Sequence, residues 1–510
     1  MEKRQTNIEE LEPTLPAEAS NKLLQSEKYD DIAKKPAANS TRTGINRQVL
    51  LTAVVTPVMI SMAHSLAFPA LIVPSLRNEN GTLHFGTEEG SWFTSTFSMA
   101  SPIGSMICGL MMDRYGRKIT LATPLVPLII SWIVLATTES HLVLFTSRVF
   151  LGIFGGFGPP ICQIYLAESA DAEFRGVIIN LSYVTLSLGF LLTFILGAVT
   201  NWRNVAWCGI VLPIVTLVGT LIIPESPIWL LRNGHMEKAY QSFLWLRGDA
   251  SIARNELNEH LSRINQEREV ARNAAQSTSY RDFLQPSVLK PITIIFAFIL
   301  LFNLTGTYLI IYYAIDILSQ VHLTVNAYNA SVILSVVRLV VTVGFCWLFT
   351  RVKRRNIYLI VGIGSTISTL VLATYLHNEQ LFPNETMNLT VTGSMLLLFI
   401  ATNTGFMIAP GFMTGEMLPA KIRGRLAGYI YTYFSIVTFV LNKFFPNLNE
   451  HIGLTGVIFV FGLASLATTA LIYFAVPETK GKSLLEIERY FQTHGWIYKS
   501  SRMNESTVSG

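Results

Sequence analysis

The sequence predicts an all-α membrane protein whose twelve transmembrane helices form two six-helix bundles. Half of the 510 residues are hydrophobic and only 14% are charged, against about 25% in an ordinary soluble domain. The charged residues cluster between long apolar runs, and several polar landmarks recur in the same order in both halves of the chain. This pattern excludes a soluble globular enzyme, disorder over most of the chain and a small disulfide-linked secreted fold.

The apolar runs place the individual helices. A helix that crosses a bilayer needs about 20 mostly apolar residues, and runs bounded by charged or turn residues give twelve of them. The predicted spans of the first half are 49–73, 91–112, 119–138, 142–167, 177–200 and 205–223. Those of the second half are 290–318, 328–350, 357–376, 393–416, 426–447 and 453–476. The bundles are therefore expected at 49–223 and 289–476.

The polar segments complete the predicted organisation. Residues 1–48 lack the early apolar stretch of a cleavable signal peptide, and we expect them to form a disordered cytosolic tail. Residues 224–288 are expected to be a cytosolic linker with short amphipathic helices, because apolar residues recur there at helical spacing only in short pieces. Residues 477–510 are expected to form a second cytosolic tail.

The distribution of basic residues predicts the orientation. With the N-terminus inside, Arg77, Arg203 and Lys443 are the only basic residues near the outer side, and Arg148 and Arg338 lie within spans. The other 33 of the 38 Lys and Arg residues fall on one side, as expected of cytoplasmic loops. Both termini are therefore predicted inside. Sequons in the two longest predicted outer loops agree with this topology, and they give the candidate glycosylation sites Asn80, Asn384 and Asn388.

The two halves contain an internal repeat. Segments 168–176 and 416–424 both read Glu-x6-Arg-Gly, 248 residues apart. A Pro-Glu pair at Pro224 recurs at Pro477, 253 residues later, and charged clusters follow the second and eighth predicted spans. Three landmarks in order at near-constant spacing indicate a duplicated six-helix unit. Two similar bundles in one membrane predict alternating access to a site between them.

Together these motifs resemble the major facilitator superfamily, and within it the sugar porter family and its insect trehalose-transporter branch. The resemblance covers about residues 50–490. Its motifs are Gly109-x3-Asp113-Arg114-x-Gly116-Arg117, Arg148-x3-Gly152 with Tyr165-x2-Glu168, Pro224-Glu225-Ser226-Pro227, Gly415-Glu416-x-Leu418-Pro419 and Pro477-Glu478-Thr479. The resemblance implies a transporter and the major facilitator fold.

The motif charges on the cytosolic side are candidates for gating. The resemblance implies ion pairs between the bundles near the inner surface, whose rupture would open the protein to the cytosol. The alternative is that these charges only set the topology. In the second half, Thr350 and Lys353 replace residues typical of the family. The gating candidates are Asp113, Arg114, Arg117, Glu168, Arg175, Glu416 and Arg423.

Polar residues at helical spacing mark helix faces that should point into the bundles, because lipid offers them no partners. The resemblance implies sugar-binding amides on the seventh predicted span, where this chain keeps only Asn303, and a tryptophan on the tenth, where it has Gly411. Hydrogen bonding between helices is the alternative role for these polar faces. The candidate solute-binding residues are Asn303, Tyr308, Tyr312, Tyr183, Arg338 and Gly411.

Ionisable residues inside the predicted spans leave alternatives open. Arg338 could pair with Asp316, line the cavity and bind an anionic or hydroxyl-rich solute, or bond backbone carbonyls. Arg148 is expected to be structural or part of energy coupling. His64 is either a proton site or a hydrogen-bonded helix residue. Because residues 49–76 contain no Asp or Glu, the resemblance favours facilitated diffusion over proton symport.

The function predicted from these features is transport of a sugar, a hexose or trehalose, by alternating access in the plasma membrane. One alternative keeps the fold and carries a non-sugar, anionic or aromatic solute, and another is a non-transporting nutrient sensor. We expect a multi-pass monomer in the bilayer, with no catalytic residues, metal, cofactor or nucleic-acid partner. The four cysteines all fall in apolar runs and are interpreted as packed free thiols.

Overall fold

A computed structural model describes residues 42–78, 83–171, 175–274, 285–320, 326–378, 385–418, 420–482, 484–493 and 495–496. Within these ranges the regular structure is helical and no β-strand occurs. The helices of the first half are α1 (Arg42–Val55), α2 (Pro57–Asn78), α3 (Thr87–Tyr115), α4 (Arg117–Ala122), α5 (Leu125–Thr137), α6 (His141–Gly155), α7 (Gly158–Ser169), α8 (Arg175–Val199), α9 (Trp202–Cys208) and α10 (Val211–Thr220).

The middle of the chain and the second half are also helical. The middle helices are α11 (Pro227–Arg232), α12 (Met236–Arg247) and α13 (Ala250–Ala274). The second half contains α14 (Pro286–Leu304), α15 (Leu309–Tyr312), α16 (Ala314–Gln320), α17 (Ala327–Arg351), α18 (Arg354–His377), α19 (Glu385–Met417), α20 (Ala420–Ala475) and α21 (Leu484–Thr493).

Several helix boundaries differ from the predicted spans for local reasons. The first helical segment begins at Arg42, inside the predicted tail, and it is divided before Pro57 into α1 and α2. Proline lacks the amide hydrogen that would continue the helical ladder. In α20 the left-handed backbone of Gly453, with φ of 68°, separates two helical stretches. The predicted spans 426–447 and 453–476 lie on either side of that glycine.

Ten described segments are long and apolar enough to cross a membrane. Helix α3 is not among them, although its 29 residues are sufficient in length and contain the predicted span 91–112. Its composition is unusually polar, and the hydroxyl side chains of Ser91, Thr94, Ser95 and Ser98 are buried inside the protein. The number of spans and the inside location of both termini remain predictions.

The two halves meet along two pairs of long helices. Helix α3 packs on α20, and α8 packs on α17. Within the first half α3 also packs on α6 and α8 on α2, while in the second half α18 packs on α19 and α20. Helices α3 and α17 hold equivalent places in the two repeats, as do α8 and α20. The two contacts are therefore equivalent to each other, as expected for a duplicated unit.

The three middle helices form a small unit with its own apolar contacts, which include Leu231, Phe243 and Ala253. Helix α13, at 25 residues, is longer than the short helices that the sequence pattern indicates. Arg247 at the end of α12 fixes this unit to the first bundle. Its guanidinium lies 2.6 Å from Asp171 and donates to the Ser169 carbonyl at 3.0 Å.

Candidate functional site

Polar contacts join the two halves at several levels of their interface. They join Ser98 to Tyr312 at 3.0 Å, Ser101 to Ser435 at 3.4 Å, Ser187 to Thr342 at 2.8 Å and the Cys346 sulfur to the Asn180 carbonyl at 3.6 Å. Hydroxyl contacts of this kind are individually weak, so they can break and reform when the halves move.

Two cationic side chains join the halves at the predicted outer face. Arg77 at the end of α2 lies 3.2 Å from the Asp316 carboxylate on α16. Lys443 on α20 donates to the Ser91 hydroxyl at 2.8 Å and lies over the Trp92 ring. Contacts between the bundles therefore bridge the predicted outer face. The Arg77–Asp316 pair also decides against the alternative in which Arg338 pairs with Asp316, because Asp316 pairs with Arg77 instead.

At the predicted inner face, a buried cluster forms within the first half. The Arg117 guanidinium lies 2.7 Å from Glu168, and the Ser226 hydroxyl also donates to Glu168. Glu225 accepts from the backbone amides of Arg117 and Lys118. Burial raises the pKa of Glu225, and these amide hydrogen bonds oppose that rise. The cluster holds the start of α4 against the end of α7.

The second half contains an equivalent cluster. Arg354 forms an ion pair with Glu416, and the backbone amides of Arg354 and Arg355 donate to Glu478 at 3.2 Å. The Thr479 hydroxyl adds a bond to Glu416. Sequence reasoning missed Arg354 as a partner of Glu416. The repeat could have identified it, because the basic cluster after the eighth span matches the motif that contains Arg117.

In this conformation Arg117, Glu168 and Glu416 are each paired within their own half, so the expected ion pairs between bundles stay a prediction for the state closed to the cytosol. The physical reason for pairing within a half is proximity, because the loop after one helix lies directly over the end of a neighbour in the same bundle. Asp113 and Arg114 are exposed. The side chains of Arg175 and Arg423 lie outside the described part of the structure.

Several candidate binding residues lie near one another, since Tyr308 is within electrostatic range of Tyr183, Tyr312 and Arg338. The Tyr183 hydroxyl on α8 occupies the space that a side chain at Gly411 would need. Tyr308 packs edge-on against Phe434, with ring centroids 5.4 Å apart. Tyr312 bonds across the interface, as described above. These aromatic side chains thus line the boundary between the bundles.

Both polar atoms of the Asn303 amide have a hydrogen-bond partner inside the second half. Its nitrogen donates to the Ile299 carbonyl at 2.8 Å, and its oxygen accepts from the Thr438 hydroxyl at 2.9 Å. In this conformation the amide links two helices, which matches hydrogen bonding between helices, the alternative role of the polar faces. A sugar could reach this amide only if the Thr438 bond were exchanged.

A second buried amide, Asn403, was missed by sequence reasoning. Its oxygen accepts from the hydroxyls of Thr305 and Thr307 at 2.9 and 2.6 Å, and its nitrogen donates to Ser365 at 3.1 Å. The available signal was the Thr-Asn-Thr triplet in the middle of an otherwise apolar run. This network fixes the turn after α14 against α18 and α19.

Arg148 and His64, two buried ionisable residues of the first half, have hydrogen-bond partners, although the Nη2 atom of Arg148 has none among the described residues. Arg148 donates to the Ser65 carbonyl at 2.5 Å and lies between the rings of Phe93 and Phe97. Both His64 ring nitrogens are engaged, with the Thr193 hydroxyl at 2.9 Å and the Val205 carbonyl at 3.1 Å. This geometry matches the hydrogen-bonded alternative for His64 and a structural role for Arg148.

Among the described residues no group of three or more His, Cys, Asp and Glu side chains could hold a metal ion. The four cysteines are free, and Cys108 and Cys162 are buried. The candidate glycosylation sites Asn80 and Asn384, and the side chain of Asn388, lie outside the described residues.

Comparison with known proteins places this arrangement in context. The family model described as sugar (and other) transporter matches residues 60–491. The facilitated trehalose transporter Tret1 of Polypedilum vanderplanki is 30% identical over 434 residues, covering 84% of this chain and 85% of the relative. Tret1 of Apis mellifera ligustica is 26% identical, covering 93% of both chains.

Solved structures agree on the fold. The inward open conformation of the Escherichia coli xylose transporter XylE has a TM-score of 0.71 at 18% identity, covering 87% of this chain and 99% of that one. Its partially occluded inward open conformation has a TM-score of 0.67 at 17% identity, covering 84% and 100%. These likenesses confirm the predicted all-helical major facilitator fold.

Proposed function

Because the chain belongs to the sugar (and other) transporter family, whose members are multi-pass membrane transporters and not enzymes, we propose that it carries a hexose or trehalose by alternating access. The resemblance to sugar porters that the motifs indicate is confirmed by this membership. The solute, the direction of gating and the cellular membrane belong to the proposal. We place the protein in the plasma membrane as a monomer, with both termini in the cytosol.

The observation that carries the proposal is the contrast between the two faces of the molecule. At the predicted outer face, Arg77 and Lys443 bridge the two halves. At the predicted inner face, the clusters around Arg117 and Arg354 each lie within one half. The halves can therefore separate at the inner face without breaking either cluster, as an inward-facing transporter requires.

Facilitated diffusion is favoured over coupling to protons. Helices α1 and α2 contain no Asp or Glu, so the membrane part of the first span offers no carboxylate for proton exchange. Arg148, the deeply buried cation of the first half, bonds the backbone oxygens of Ser65 and Phe93. With these groups occupied by structural bonds, solute movement is expected to follow the solute gradient alone.

Uptake into proteoliposomes tests this function. The purified protein should exchange labelled glucose or trehalose in a saturable manner, and an excess of the unlabelled sugar should suppress the signal. An imposed pH gradient should change the initial rate by less than about two-fold, because no proton is carried. Absence of saturable flux for both sugars would contradict the sugar assignment. Binding without flux would instead favour the nutrient-sensor alternative.

A further inference from the structure

In the second half, one side-chain nitrogen of a buried arginine lacks a hydrogen-bond partner among the described residues. Arg338 lies in the middle of α17, with only 3% of its surface exposed. Its Nη1 atom is buried and has no hydrogen-bond partner in the described part of the chain. The guanidinium carbon lies 5.5 Å from the centroid of the Phe190 ring of α8. The charge therefore lies at the interface between the two halves and contacts an apolar face.

Arg338 faces a small cavity in that interface. The cavity is lined by Phe190 and Phe194 from the first half and by Ile311, Ser331 and Ser335 from the second. Its volume of about 20 Å³ has room for about one water molecule. A solute can enter only after the halves separate, which agrees with a site that is closed in this conformation.

The walls of the cavity supply no negative charge. Ser331 and Ser335 donate their hydroxyl hydrogens to carbonyl oxygens of their own helix. Asp316, the acidic residue that the sequence offers as a partner, is paired with Arg77 at 3.2 Å. Arginine stays protonated under all physiological conditions, so the cavity retains a positive charge that the described residues leave uncompensated.

A buried charge without a counter-ion is unfavourable, and its retention at a closed binding interface points to a partner that arrives with the solute. The planar guanidinium matches a carboxylate through two parallel hydrogen bonds. The phenylalanine walls exclude water and so strengthen such a pair. Hydroxyls on the same solute would suit the hydroxyl-rich faces of the neighbouring helices.

We propose that Arg338 binds the carboxylate of a sugar acid, a hexuronate or aldonate, as a transported solute. This inference rests on the proposed transport function and specifies one chemical class of solute for the same interface. The ion pair forms when the halves open, and it is released by exchange with water. Neutral sugars lack the charge and are bound only through the hydroxyl contacts.

Proteoliposome uptake with two labelled probes, D-glucuronate and D-glucose, tests the inference. In the wild type, unlabelled glucuronate should inhibit glucose uptake and should itself be taken up in a saturable manner. Arg338→Gln should raise the glucuronate concentration for half-inhibition about ten-fold or more, because a charge-assisted bond is lost. The half-inhibition concentration is compared at the glucose uptake that each variant retains, so a general loss of flux does not count as support. Arg338→Lys should be intermediate, since lysine keeps the charge without the planar fork.

Arg351→Gln is the matched control, because Arg351 is exposed at the end of the same helix and the substitution removes the same charge. It should leave glucuronate inhibition unchanged. As a measurement independent of flux, glucuronate should raise the melting temperature of the purified wild type and the Arg351→Gln variant but not that of Arg338→Gln.

The outcomes separate this inference from the proposed function. If glucose uptake is saturable but glucuronate neither inhibits it nor is itself taken up, the inference is overturned and sugar transport is left intact. Inhibition of equal strength in the wild type and Arg338→Gln would also overturn it. Glucuronate uptake without glucose or trehalose uptake would support the inference and restrict the proposed function to acidic sugars.

Discussion

Replacing Arg117 by Ala is expected to destabilise the first bundle by about 3–5 kcal/mol. The substitution leaves the Glu168 carboxylate without its ion-pair partner at 2.7 Å, and the two side chains are only 6% and 14% exposed. It also removes the bond from the guanidinium to the Met112 carbonyl. A buried carboxylate without its counter-ion costs more than the pair contributes. Thermal unfolding of the purified variant, monitored by size-exclusion chromatography, should show this loss of stability.

Two further variants make this result specific. Arg114→Ala removes an exposed arginine from the same motif, and it should change the unfolding temperature little. Adding Glu168→Gln to Arg117→Ala removes the uncompensated charge, so the double variant should be more stable than Arg117→Ala alone. A double variant that is as unstable as the sum of the two single changes would contradict the direct pairing.

Replacing Gly104 by Ala is expected to have the second large effect. A Cβ atom at Gly104 would collide with the backbone carbonyl of Ile153 on α6. A backbone atom inside a packed helix cannot turn aside as a side chain can, so α3 and α6 must move apart. Overpacking of this kind costs about 1–3 kcal/mol or more. We expect lower yield, a lower unfolding temperature and reduced uptake per molecule.

The matched control is Gly109→Ala on the same helix. Among the described atoms, none lies within 4 Å of a Cβ built at Gly109. Alanine favours helix over glycine by about 0.5–1 kcal/mol, so this variant should be as stable as the wild type or more so. Equal stability of Gly104→Ala and Gly109→Ala would show that the helices do not approach as closely as the structure indicates.

Much of the fold could be predicted because lipid imposes a simple rule on the sequence. A run of about 20 apolar residues has few alternatives to a helix in a bilayer. The rule is weakest for α3, whose buried Ser and Thr residues lower its hydropathy. The rule also does not predict where a helix begins, since α1 begins at Arg42, before the predicted span. That boundary depends on packing, including the bond from Arg47 to the Trp245 carbonyl.

The pairing of polar groups could be predicted less well. The motifs identify Glu168 and Glu416 as important charges, but their partners depend on which helix ends lie together in space. The spacing of polar residues along the sequence also cannot tell whether an amide side chain that points into a bundle faces a cavity or another helix. Asn303 meets Thr438, a residue 135 positions away. Arg338 was recognised from its position alone, because a charge within an apolar span always needs an explanation.

Transport by alternating access depends on movement of the two halves against each other, and a reversible cross-link tests that movement most directly. The hydroxyl oxygens of Ser101 on α3 and Ser435 on α20 lie 3.4 Å apart across the interface. In the double variant with Ser101→Cys and Ser435→Cys, oxidation should join the bundles and stop sugar uptake. A reductant should restore it, and each single variant should be insensitive to oxidation. Undiminished uptake by fully cross-linked protein would contradict alternating access between these bundles.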